Sequence, residues 1–106
     1  MKAKVPSDAV VASGPSIQSF FPCFRYGRIV RDAKGDFVEI VEQVDCSLSQ
    51  LEIREVFPSY YCVKIDQLLW ALEQLKPNNK KGEYYLTDVY GILRAAGRKV
   101  VAVQAV

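Results

Sequence analysis

The segment GRIVRDAKGDFVEIVE, residues 27–42, constrains the fold more than any other part of the sequence. It consists of two runs rich in β-branched residues, joined by DAKG. Gly35 can adopt the positive φ that closes a short turn, so the segment predicts an antiparallel hairpin. A lone hairpin is only marginally stable in water, so the remaining residues must supply further strands or helices that cover it.

The next segments predict a helical turn, a strand and a helix. Ser47 is a candidate N-cap with Gln50 three residues later, as in a capping box. SYYCVKI, residues 59–65, shows no polar alternation before Lys64, so it predicts a central strand covered on both faces. A helix is predicted from a cap at Asp66 through Leu75, and Pro77 stops it. Its buried stripe would contain Leu68, Leu69, Leu72 and Leu75.

A second helix is predicted after Thr87, which can cap it, with Asp88 in the first turn and Gly97 just past its end. Its apolar stripe comprises Val89, Ile92, Leu93 and Ala96. KVVAVQAV, residues 99–106, follows as an apolar strand. The alternation of strands and helices predicts an α/β domain with a mixed β-sheet and flanking helices.

Two regions do not fit this pattern. Residues 1–24 contain three prolines and four serines without clear periodicity, and we predict an irregular lead-in there. Trp70 lies opposite the leucine stripe when a helix is drawn at 100° per residue. It is either ordinary surface or a contact with another protein.

Composition excludes several function classes. The chain has 106 residues, enough for one small domain, and its net charge of +2 gives no reason to expect a nucleic acid or membrane partner. Because histidine is absent, a histidine base, a Ser-His triad and a histidine zinc site are excluded. Three widely spaced cysteines make neither a disulfide framework nor a paired metal motif. No apolar run approaches the ~20 residues that span a bilayer, so we expect a cytoplasmic protein.

Three stretches, YGRIVRD at 26–32, IVEQVD at 40–45 and NNKKGEYYLTD at 78–88, together resemble a known family. They are similar to GYGRIVR, IVEEKDA and NNAQGEYYLTD of bacterial N-acetylglucosamine-1-phosphate uridyltransferases. A fourth family stretch, EINTG, corresponds to EVFPS at 55–59. The resemblance covers roughly residues 25–104, with the motifs in family order.

The resemblance implies a partial Rossmann-like nucleotide-diphospho-sugar transferase fold. Family members join UTP to N-acetylglucosamine 1-phosphate, with magnesium, and release pyrophosphate. By resemblance, Gly27 would meet the sugar with its backbone, Glu42 would accept hydrogen bonds from sugar hydroxyls, and Tyr85 and Thr87 would line the same pocket. Taken alone, the same residues also fit blander interpretations: a strand-start glycine, a solvated carboxylate, a rim aromatic and an N-cap.

The sequence also departs from the family. It contains no glycine-rich LAAGxGTRM loop, which binds the nucleotide triphosphate in that family, and neither of the family's magnesium ligands. We therefore assign no catalytic or metal-binding residue, and expect magnesium in the parent family but no cofactor for this chain alone. Phe57 replaces a sugar-binding asparagine. Lys80 and Lys81 add positive charge that either favours a phosphate or belongs to a solvated loop.

Two functional hypotheses follow. In the first, residues 25–106 are the sugar-side half of a nucleotidyltransferase domain, inactive alone, with a nucleotide-sugar or sugar phosphate as ligand. In the second, the chain is a non-catalytic binding or regulatory module that pairs with a partner, or with itself, through an open sheet edge or the Trp70 face.

Overall fold

A computed structural model describes residues 8–15 and 26–104. The strands are β1 (Ala9–Pro15), β2 (Gly27–Arg31), β3 (Phe37–Val41), β4 (Glu55–Phe57), β5 (Tyr61–Val63) and β6 (Val100–Gln104). The α-helices are α1 (Leu48–Leu51), α2 (Ile65–Leu72) and α3 (Asp88–Ala95), and a 3₁₀ turn covers Gln43–Asp45. No helix in the described ranges has the length and apolar character needed to span a membrane.

In the described part of the chain the six strands form one mixed sheet, as predicted. β1 is parallel to β6 on one side and antiparallel to β5 and then β4 on the other. β4 in turn pairs with β2, and β2 with β3. α3 packs against β3, and α2 packs against α3. The α/β fold class is therefore confirmed.

The prediction of an irregular lead-in is wrong for residues 9–15, because they form the strand that joins the two parts of the sheet. Ala9, Val11 and Ser13 are fully buried. Their alternation is that of a strand with one face in the core. Residues 1–7 and 16–24 of the predicted lead-in, and Cys23 with them, lie outside the described residues, so the domain boundary near residue 25 stays a prediction.

Local signals produced the elements they predicted. Gly35 has φ +89° in the turn of the β2–β3 hairpin. Ser47 and Gln50 form the complete capping box of α1. Gly97, at φ +85°, ends α3, and the backbone N–H of Arg98 donates to the carbonyl of Leu93.

The predicted faces of β5 and α2 are wrong. Tyr61 and Cys62 are exposed, so β5 is not covered on both faces by the described residues. In α2, which starts at Ile65 rather than after a cap at Asp66, Leu69 is 57% and Leu72 38% exposed. Apolar residues lie on nearly every side of α2, so its sequence pattern fits more than one buried face. In the structure, the face that contains the small residue Ala71 is the buried one, and α2 packs against α3.

Trp70 is accordingly not an open surface residue. It is half-buried against the core together with Leu68 and Leu75. The guanidinium carbon of Arg98 lies 5.2 Å from the centroid of its ring, within cation–π range. Trp70 itself therefore packs within the chain, and self-association through its side of the helix stays a prediction.

A charged cluster joins four strands at one side of the sheet. Arg31 of β2 donates through Nε and Nη2 to the two carboxylate oxygens of Glu55 of β4, at 2.7 and 2.8 Å. Ser13 of β1 donates to the same carboxylate at 2.5 Å, and Arg31 Nη2 also donates to the carbonyl of Ala102 in β6 at 2.9 Å. The hydrogen bond from Arg31 is the main reason that the pKa of Glu55 lies below its usual range.

We predict that Glu55→Gln lowers the free energy of unfolding at pH 7 by about 1 to 3 kcal/mol, since Arg31 and Ser13 lose a charged acceptor. Because the folded-state pKa of Glu55 is depressed, its contribution exists above the unfolded-state pKa and disappears as pH falls through the folded-state value. Urea unfolding from pH 7 to pH 3 should show the native protein and the variant converging in acid. The exposed change Glu52→Gln is the control at pH 7, and parallel curves for the native protein and Glu55→Gln would contradict the prediction.

Candidate functional site

A cleft of about 490 Å³ opens between the end of β3 and the segment that precedes α3. Its volume falls within the range of small-molecule sites. The residues that line it are Glu42, Gln43, Val44, Lys81, Tyr84, Tyr85, Leu86 and Thr87. Three of the four residues predicted from the sequence as sugar-binding, Glu42, Tyr85 and Thr87, thus share one cleft although they come from segments more than 40 residues apart.

Thr87 and Glu42 are in direct contact. The Thr87 hydroxyl donates to Oε2 of Glu42 at 2.7 Å. Thr87 occupies the N-cap position of α3, as predicted, but its backbone is helical and its side chain caps no backbone N–H. The hydroxyl that an N-cap would use for the helix is instead directed at the cleft, so capping does not explain this threonine.

Gly27, the fourth predicted residue, lies directly beside Glu42. A Cβ built on Gly27 would be 2.8 Å from Ile40 Cγ2 and 3.5 Å from Oε2 of Glu42. The first distance is shorter than a van der Waals contact allows, so only glycine lets β2 and β3 approach this closely. The structure therefore places Gly27 beside Glu42, although Gly27 itself does not line the cleft.

Tyr85 and Gln43 contribute polar atoms to the wall of the cleft. The Tyr85 hydroxyl and Gln43 Oε1 are both shielded from solvent, and neither has a hydrogen-bond partner among the described residues. Burial of the hydroxyl, and next the nearby charge of Asp45, raises the pKa of Tyr85. Asp45 is thus close to Tyr85, but the two groups do not meet hydrogen-bond geometry. Both buried atoms are available to a polar ligand.

The cleft lies in a negative field. Asp88, at the start of α3, has a raised pKa, first because of burial and then because of the charges of Glu39, Asp45 and Glu42. In the described ranges no three side chains of the Asp, Glu, Cys or His type come together as a metal site. No step proposed for the cleft uses a magnesium ion.

Phe57, which stands where the resembled motif has asparagine, is not part of the cleft lining. Its ring is buried and packs edge-on against Tyr90, with the ring centroids 6.1 Å apart. The substitution therefore adds to the core and does not bring a hydrocarbon ring into the cleft. Ser59, in place of the motif's glycine, keeps a glycine-like φ of +79°.

Sequence reasoning missed part of the wall. Gln43 and Val44 directly follow Glu42, so a signal existed: residues after a site-bearing strand end often share its site. Asp45 ends the quoted motif IVEQVD, but nothing in the sequence indicated what it would contact. Its carboxylate accepts from the backbone N–H of Lys80 at 2.8 Å, which fastens the loop at 78–82 to the 3₁₀ turn.

Comparison with known proteins gives one consistent result. The chain is 46% identical over 78 residues to bifunctional protein GlmU of Clostridium acetobutylicum, a match that covers 74% of this chain and 17% of that protein. It is 48% identical over 81 residues to bifunctional protein GlmU of Brevibacillus brevis, covering 76% and 18%. No protein-family model matches the chain. The resemblance drawn from the motifs is thus confirmed, and the chain spans about one sixth of the length of the curated relatives it matches.

We predict that Gly27→Ala destabilises the fold by about 1 to 3 kcal/mol, because the new methyl group overlaps Ile40 Cγ2. Adding Ile40→Leu, which removes that branch, should recover part of the loss. Gly14→Ala, the same change where a Cβ meets no described atom within 4 Å, is the control. Urea unfolding of the four proteins tests this, and equal stability of Gly27→Ala and Gly14→Ala would contradict it.

Proposed function

We propose that this chain forms the sugar-binding half of a sugar-1-phosphate nucleotidyltransferase site. Three quarters of the chain is similar to part of bifunctional GlmU proteins, which supports the proposal. The complete reaction would join UTP to N-acetylglucosamine 1-phosphate. An oxygen of the sugar phosphate attacks the α-phosphorus of UTP, and pyrophosphate leaves. The observation that carries the proposal is the convergence of Glu42, Tyr85 and Thr87 on one cleft, with Gly27 beside Glu42.

The chemistry of the cleft suits a sugar ring. A carboxylate accepts hydrogen bonds from hydroxyl groups, and Glu42 is held in place by Thr87 at 2.7 Å. The buried Tyr85 hydroxyl and the Gln43 amide oxygen would gain partners from ligand hydroxyl or amide groups. Rings such as that of Tyr84, which is 67% exposed at the rim, provide apolar surface for the ring carbons.

Turnover needs more than this cleft supplies. In phosphoryl and nucleotidyl transfer the protein mainly positions the reactants and neutralises phosphate charge. Glu42 and Lys81 are the charged side chains of the lining, so a single lysine is the positive charge that the lining offers a phosphate. We propose that the 106-residue chain binds the sugar phosphate but does not transfer the nucleotide on its own. Pyrophosphate release above background with UTP, N-acetylglucosamine 1-phosphate and magnesium would contradict this part of the proposal.

We predict that the native chain binds N-acetylglucosamine 1-phosphate and that Glu42→Gln weakens binding at least about fivefold, since a charged acceptor becomes a neutral amide. Nuclear magnetic resonance titration would follow the amide signals of the cleft residues. Glu52→Gln, an exposed carboxylate outside the cleft, should bind like the native chain. An unchanged affinity in Glu42→Gln would remove Glu42 from the site.

A second candidate function is a non-catalytic module that associates with itself. The observation that favours it is an apolar stripe on the outer side of α2, where Ile65 is 67%, Leu69 57% and Leu72 38% exposed. These residues are spaced i, i+4 and i+7, so they lie on one face of the helix.

If α2 mediates self-association, the mass measured by light scattering should rise with protein concentration, and Leu69→Lys should return it to that of the monomer. Leu48→Lys, at a leucine 85% exposed on α1, is the matched control. A monomer at every concentration would remove this candidate and leave the sugar-binding proposal untouched.

A further inference from the structure

The loop between α2 and α3 presents one of its two adjacent lysines to the cleft. Lys81 is among the lining residues and Lys80 is not. The backbone N–H of Lys80 is instead bound to the Asp45 carboxylate, which fixes the loop against the 3₁₀ turn. The two lysines thus differ in position although they are neighbours in sequence.

The loop that carries Lys81 is organised by Asn79. Its Oδ1 accepts from the backbone N–H groups of Lys81 and Glu83, each at 3.1 Å. Its Nδ2 donates to the carbonyl of Glu83 at 2.6 Å, and Gly82 supplies the positive φ, +63°, that the turn requires. These bonds, with the anchor at Asp45, hold the backbone of Lys81 at the cleft.

Electrostatics give Lys81 a specific task. Carboxylates surround the cleft: Glu42 lines it, and Asp45, Glu83 and Glu42 together act on the Tyr85 hydroxyl. A neutral ring with hydroxyl groups suits such a field, but an anionic substituent would be repelled by it. Lys81 is the one cation among the lining side chains of the described residues, so it is the group that offsets this repulsion.

We propose that Lys81 determines specificity by contacting the phosphate of a sugar phosphate whose ring hydroxyls lie against Glu42. This inference rests on the proposed sugar site and adds the class of substituent that the site selects. A neutral sugar and its phosphorylated form would share the ring contacts, and the phosphate would add the contact with Lys81. Because Lys81 is exposed, the gain is modest, about two- to fivefold in affinity, and decreases as salt screens the pair.

The test compares N-acetylglucosamine, its 1-phosphate and its 6-phosphate, each titrated into the full chain and followed by nuclear magnetic resonance at low and high salt. Lys81→Gln removes the charge, Lys81→Arg retains it, and Lys80→Gln is the control at the neighbouring position. We expect the native chain, Lys81→Arg and Lys80→Gln to prefer the 1-phosphate over the neutral sugar two- to fivefold at low salt. Lys81→Gln should bind the neutral sugar as before and lose the preference.

Each other outcome has a distinct meaning. If the neutral sugar binds but the 1-phosphate binds no better, or if Lys80→Gln loses the preference as fully as Lys81→Gln, the role of Lys81 is overturned and the sugar site stands. An equal loss for both ligands in Lys81→Gln shows a structural role only and overturns the inference. A stronger preference for the 6-phosphate assigns Lys81 to the other end of the ring and overturns the 1-phosphate assignment. If no ligand binds the native chain, the proposed function fails and the inference with it.

Discussion

The carboxylate of Glu55 is the point at which the sheet is tied together. Arg31 reaches it from β2 and Ser13 from β1, while the same guanidinium binds a backbone carbonyl of β6. A partly buried carboxylate is costly unless its oxygens accept hydrogen bonds, and here both do. The strands that carry these groups therefore have little freedom to shift register. The cleft depends on this because Gly27 and Glu42 lie on the hairpin that Arg31 attaches to the rest of the sheet.

The cleft itself depends on a second polar contact, between Thr87 and Glu42. A threonine before a helix usually serves that helix, and a glutamate at a strand end is usually solvated. Here the two side chains bond to each other, and Gly27 lies beside Glu42. The geometry of these residues is the observation that supports the proposed site.

What the sequence predicted well was local. The turn at Gly35, the capping box of Ser47 and the helix end at Gly97 each depend on residues within a few positions of one another, and all three are confirmed. β1 was missed because AVVASGP carries Ser, Gly and Pro, while its partners lie 40 or more residues away. The buried face of α2 was misassigned for a related reason: several apolar faces were available and only α3 decided among them. Glu42, Tyr85 and Thr87 were found through motif resemblance. Asp45 ends one of the quoted motifs, but its bond to Lys80 spans 35 residues and was not predicted.

The pairing of β1 with β6 has a consequence for how the chain reaches its fold. Ala9 lies beside Val100, a separation of 91 residues, and this parallel ladder continues to Ser13 and Gln104. Contacts between distant residues form slowly because a long loop must close first. During synthesis, the joining strand of the sheet has to wait for a partner that leaves the ribosome last among the described elements. The hairpin β2–β3 and the helices can form earlier, so the nascent chain carries β1 with one hydrogen-bonding edge unpaired until β6 arrives.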